Sequence, residues 1–133
     1  MRRALVGATV AVLVLAGCSS STKTATASPV KLAGKVNLHG TKKVSGGSLA
    51  VEVYDFYFEP TFVQGPAGSK VTLHVSNEGK ASHTFTSSQL GVDVTLKPGD
   101  KQDVVVTLPA ASTVEFMCRF HQSGGMRGAF VVQ

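Results

Sequence analysis

A chain of 133 residues, 43% apolar and 16% charged, has room for one domain with appendages and is too apolar for a disordered polymer. Its formal net charge of +5 raises the question of a polyanionic partner. No basic patch interleaved with aromatic residues occurs, however, which argues against nucleic acid. The distribution of charge along the chain says more than its total.

The chain begins with the basic Met1-Arg2-Arg3, continues as an unbroken run of apolar and small residues from Ala4 to Ala16, and closes with Leu15-Ala16-Gly17-Cys18. The run is about 13 residues, against roughly 20 for a membrane-spanning helix, so residues 1–17 are expected to be an export signal and not a permanent span. Leu-Ala-Gly-Cys resembles the bacterial lipobox. That resemblance implies cleavage before Cys18, lipidation of its thiol, and anchoring to the lipid bilayer of the cell membrane on the extracytoplasmic side.

Residues 18–47 are rich in Ser, Thr, Ala, Gly and Lys, and no period of 2 or 3.6 persists in them. They carry Lys23, Lys31, Lys35, Lys42 and Lys43 and no acid, whereas the remainder from Ser48 onward has a net charge of −2. This segment is expected to be a flexible tether, with His39 in it incidental. The positive charge therefore belongs to the signal and tether, where it favours an anionic membrane surface.

From Ser48 to Gln133 the texture is all β. Leu49 to Phe56 alternates, with Leu49, Val51 and Val53 on one face and Glu52 on the other, and Pro60 ends the run. Phe62-Val63, then Val71 to Val75, Thr84 to Ser88 and Gly91 to Leu96 are further short strands. Lys97-Pro98-Gly99-Asp100 has turn chemistry, and Val104 to Leu108, Ser112 to Cys118 and Met126 to Val132 complete the set. Seven or eight short strands at this spacing predict an all-β, two-sheet Greek-key sandwich.

The chemistry concentrates in the corner from Phe116 to Gly128. Cys118, His121 and Met126 put a thiolate, an imidazole and a thioether on one glycine-bearing loop. Copper suits this donor set in both its oxidation states, given a second imidazole: a His2Cys plane with a long axial Met. His74 alternates with apolar residues and is expected to face solvent; His39 lies in the tether. His83, where a loop re-enters a strand, is the best candidate. A Cys18–Cys118 disulfide is disfavoured, because lipidation would consume one thiol and the other stands among metal-ligand residue types.

Phe116-x-Cys118-x-x-His121-x-x-x-Gly125-Met126-x-Gly128, with Phe56-Tyr57-Phe58-Glu59-Pro60, Asn77-Glu78-Gly79 and His83-Thr84-Phe85 upstream, resembles the cupredoxins of the plastocyanin and pseudoazurin type. The resemblance covers Ser48 to Gln133. It implies one type 1 copper ion held by His83, Cys118, His121 and Met126, with His121 as the electron exit. It further implies a monomer that exchanges electrons with redox partner proteins at the membrane surface. No Ser-His-Asp set, carboxylate pair or phosphate loop suggests an enzyme. A protein that buffers or delivers copper at the cell envelope would use the same ligands and is the alternative. Two departures stand out: many family members have Asn where Thr84 follows the first His, and plastocyanins usually have a small residue and Pro where Arg119 and Phe120 stand. The single loop cysteine excludes a binuclear copper centre.

The two cysteines thus receive separate tasks. Cys18→Ser should release the protein from the membrane fraction while leaving the copper spectrum unchanged; continued membrane retention would count against the lipobox.

Overall fold

The computed structural model describes residues 28–133; the signal segment, Cys18 and the start of the tether lie outside the described residues. Ten strands follow in order: β1 (Thr41–Lys43), β2 (Ser48–Tyr54), β3 (Tyr57–Glu59), β4 (Phe62–Gly65), β5 (Lys70–Asn77), β6 (His83–Ser87), β7 (Val92–Leu96), β8 (Lys101–Thr107), β9 (Ser112–Met117) and β10 (Arg127–Val132). A six-stranded sheet runs β1-β4-β10-β9-β6-β7 and faces a four-stranded sheet, β3-β2-β5-β8. This is the expected all-β sandwich.

Alternation produces the core. Val51 and Val53 of β2 and Val71, Leu73 and Val75 of β5 are buried, while His74 between them is exposed and lies 2.7 Å from Asp103 across the sheet. The opposite sheet contributes Phe85, Val114, Phe116, Phe130 and Val132. Phe116 sits between Phe58, Phe85 and Phe130, with ring centroids 5.1, 4.8 and 5.3 Å away. Aromatic pairs at such distances add about 0.5–1.5 kcal/mol each beyond the area they bury. This cluster ends at Cys118 and Met126, so the core runs directly into the ligand loop.

Two expectations are corrected. The predicted strand through Phe56 stops at Tyr54, and the chain reverses through Asp55-Phe56, so that Tyr54 pairs with Tyr57 and Glu52 with Glu59. Phe56 takes a φ of 78°, a left-handed conformation that favours Gly or Asn and costs a bulky residue about 1–3 kcal/mol.

The predicted tether is also part of the domain from about residue 30 onward. Strands β4 and β10 have two apolar faces: Val63 and Phe130 enter the main core, whereas Phe62 and Ala129 point the other way and need cover. Leu32 covers them, with Val30, Val36 and Val131 packed alongside. Strand β1 then pairs in parallel with β4. The Thr61 hydroxyl accepts the His39 N–H at 2.6 Å, and the His39 ring stacks on Tyr57 at 3.5 Å. A single strand's worth of isolated apolar residues, laid across a sheet edge, leaves no periodicity to read.

Leu32→Ala tests this correction. Truncating a buried leucine at the rim of a core should cost about 2–3 kcal/mol in denaturant unfolding. A flexible tether would give no change.

Candidate metal centre

Three loops meet at one end of the sandwich: the β2–β3 reversal, the β5–β6 loop ending at His83, and the β9–β10 connection from Cys118 to Met126. Strands β9 and β10 pair from Ser112–Val132 to Met117–Arg127, so the ligand loop is the tip of a fully formed hairpin. Its neck is closed by the Cys118 N–H donating to the Met126 carbonyl at 3.1 Å, and its interior by the His121 N–H to the Cys118 carbonyl at 3.2 Å. The tip turns through a 3-10 segment (Gln122–Gly124) to Gly125, whose φ of 102° requires glycine.

The structure brings His83, Cys118 and His121 together, with their donor atoms within 4.8 Å of one another. The Nδ1 atoms of the two histidines lie 3.2 Å apart; Cys118 Sγ is 3.9 Å from His83 Nδ1 and 3.5 Å from His121 Nδ1. Nitrogen and sulfur donors bound at roughly 2.0–2.3 Å in a trigonal plane would be separated by about 3.5–3.7 Å, so this triangle has the dimensions of a single-ion site. Met126 is fully buried, and its N–H donates to the His121 carbonyl at 3.3 Å. His74 is on the solvent face of β5 and His39 is on Tyr57, so neither joins the cluster.

Each donor is held from behind. Cys118 Sγ accepts the Thr84 N–H at 3.4 Å, and the Thr84 hydroxyl accepts the Arg119 N–H at 2.8 Å. Thr84 therefore makes a bridge between β6 and the ligand loop. Arg119 is drawn aside by Asp93 at 2.9 Å and lies over the Phe120 ring, which keeps its charge on the flank of the loop. Burial, and secondly the neighbouring His83, lower the pKa of His121 from the usual histidine value, with Asp55 opposing. Its imidazole thus keeps a lone pair at more acidic pH than a free one.

Two residues at the site, Asp55 and Asn37, escaped the sequence reading, and Asn77 stood in the upstream motif without a role of its own. Asp55 Oδ1 is 3.0 Å from His83 Nε2 and accepts the backbone N–H groups of Lys80 and Ala81, both at 3.0 Å. The hydrogen bond from His83, followed by those from Ala81 and Lys80, holds its carboxyl down at about 2. Asn77, buried at the end of β5, donates to the Ala81 and Leu96 carbonyls, each at 2.9 Å, and so fixes the loop that delivers His83. Asn37 donates from its side chain to Phe56 and Gly124 and from its backbone to Gly125, at 2.8, 3.1 and 2.9 Å. The one available signal was for Asp55: two residues between Tyr54 and Tyr57 could have been read as a hairpin turn.

The cupredoxin-like domain model matches residues 8–132. The chain belongs to that family. Among solved structures, reduced auracyanin from Roseiflexus castenholzii is 17% identical with a TM-score of 0.57, over 68% of this chain and 99% of that one. Auracyanin B is 18% identical with a TM-score of 0.56, over 75% and 96%. A heme-copper terminal oxidase dimer is 16% identical with a TM-score of 0.59, over 86% and 83%. At these identities the likeness establishes the cupredoxin fold. A search of curated proteins returns no match.

The two strand histidines, His83 and His74, separate on the donor geometry. His83→Ala should weaken copper binding at least about tenfold in a competitive titration, because it removes a corner of the triangle. His74→Ala should leave affinity and stability unchanged to within about 0.5 kcal/mol, as an exposed substitution does.

Proposed function

We propose that this cupredoxin is a lipid-anchored mononuclear type 1 copper protein that carries single electrons between redox partner proteins at the membrane surface. His83, Cys118 and His121 would hold the copper ion, and Met126 would supply a weaker fourth donor. The observation that carries this reading is the triangle of two Nδ1 atoms and one thiol sulfur with edges of 3.2, 3.5 and 3.9 Å. When bound, copper supplies a one-electron couple whose two states are both tolerated by imidazole, thiolate and a distant thioether.

The residues divide the remaining work. Cys118, His83 and Met126 are fully buried, which excludes water from the donors and resists rearrangement. His121 stands at the rim beneath Phe56 and beside Phe120, with ring centroids 5.0 and 6.2 Å away. Phe56 and Phe120 are 49% and 53% exposed, so a partner can approach the His121 edge across an apolar surface. Such an approach shortens the path for an electron. Handing over the ion itself would require opening three buried donors, and this favours electron transfer over copper delivery.

Titrating the full chain with copper tests the reading: it should produce an intense thiolate-to-copper band in the visible, absent from Cys118→Ser, and an absent band in the parent protein would contradict it. The contribution of Met126 follows from differential stabilisation. Even a weak thioether donor would favour the electron-poor oxidised ion, so Met126→Leu should keep the band and raise the reduction potential, whereas Met126→Gln, with a harder oxygen donor, should lower it. Electrochemistry on the three proteins checks both signs.

A further inference from the structure

The β2–β3 reversal does more than connect two strands. His83 is completely buried, and its ring presents Nδ1 to Cys118 and His121 on one side and Nε2 to Asp55 Oδ1, at 3.0 Å, on the other. An ionised carboxylate only accepts hydrogen bonds, so Nε2 must carry the proton, and the lone pair of a neutral ring then sits on Nδ1. We propose that Asp55 is a positioning residue for the copper centre: it locks the tautomer and ring orientation of His83, and its charge biases the centre toward the oxidised state. This inference rests on the copper reading above.

The carboxylate is held as firmly as the histidine. Lys80 N–H reaches both of its oxygens, at 3.0 and 3.1 Å, and Ala81 N–H reaches Oδ1 at 3.0 Å. Gly79 lies so close that a Cβ there would collide with the Asp55 carboxylate, so the absence of a side chain at residue 79 is what lets the loop wrap this group. Next in sequence, Phe56 adopts its left-handed φ of 78°, and its carbonyl is pinned by the Asn37 side chain at 2.8 Å. The same two-residue turn therefore puts a carboxylate behind His83 and an aromatic ring against His121. A strained turn, pinned from both directions, is the arrangement expected where a side chain must be delivered to a fixed point. A carboxylate bonded to a ligand imidazole raises its basicity and strengthens it as a donor, which stabilises the more positive ion.

Asp55→Asn keeps the size and one acceptor oxygen but removes the charge. In the copper-loaded full chain it should retain the visible band while shifting the redox equilibrium about tenfold toward the reduced form, a rise of about 59 mV for one electron. An intact band with an unchanged or lower potential would overturn the proposal. Nitrogen-15 NMR of the metal-free parent protein at pH 8 gives an independent decision that survives any folding failure of the variant: His83 should carry its proton on Nε2, and a proton on Nδ1 would overturn the proposal. Failure of the parent protein to develop the visible band would instead count against the copper reading, while the NMR result would still decide the orientation of His83.

Discussion

The burial of one thiol governs the whole site. Cys118 follows the last residue of β9 and is the first of the ligand loop, and it belongs at once to the hydrophobic core and to the donor triangle. Its sulfur accepts the Thr84 N–H at 3.4 Å, and its own backbone N–H closes the loop neck onto the Met126 carbonyl at 3.1 Å. The free energy that fixes a metal donor here is therefore the same that folds the sandwich. Apolar burial of this kind is worth about 25 cal/mol per Å², and close packing transmits any shift of one side chain to its neighbours.

Around that fixed point the other donors are brought in by elements distant in sequence. His83 arrives on β6, adjacent to β9, with its loop stapled by Asn77 to Leu96 on β7. His121 and Met126 come from the hairpin tip. The N-terminal segment closes the arrangement: Asn37 ties the tip at Gly124 and Gly125 to the β2–β3 reversal at Phe56. Thus a stretch that covers the outer face of β4 and β10 with Leu32 also braces the loop that carries three of the four proposed ligands. Folding and site geometry share one segment of chain.

Much of this was legible in the sequence, and what was missed has a common cause. The alternation in β2, β5, β8 and β9 follows from one buried and one exposed face, a local pattern that a reader can see. The spacing of Cys118, His121 and Met126 is equally local, being set by a hairpin tip. Asp55, Asn37 and Leu32 were invisible for the opposite reason. Their partners lie far along the chain: Gly124 for Asn37, His83 and Ala81 for Asp55, Ala129 for Leu32. Nothing in the composition near them records those contacts. The reversal at Phe56 was hidden because its turn uses a residue type that turns of that conformation normally avoid.

The central claim is that the protein holds its donors in one arrangement that serves both oxidation states, so that an electron moves without moving the site. Crystal structures of the oxidised and the reduced copper-loaded protein test it most directly. The account predicts that His83 Nδ1, Cys118 Sγ and His121 Nδ1 keep the triangle of 3.2, 3.5 and 3.9 Å to within a few tenths of an ångström in both. Withdrawal of His121 or a widening of the triangle by an ångström or more on reduction would contradict it.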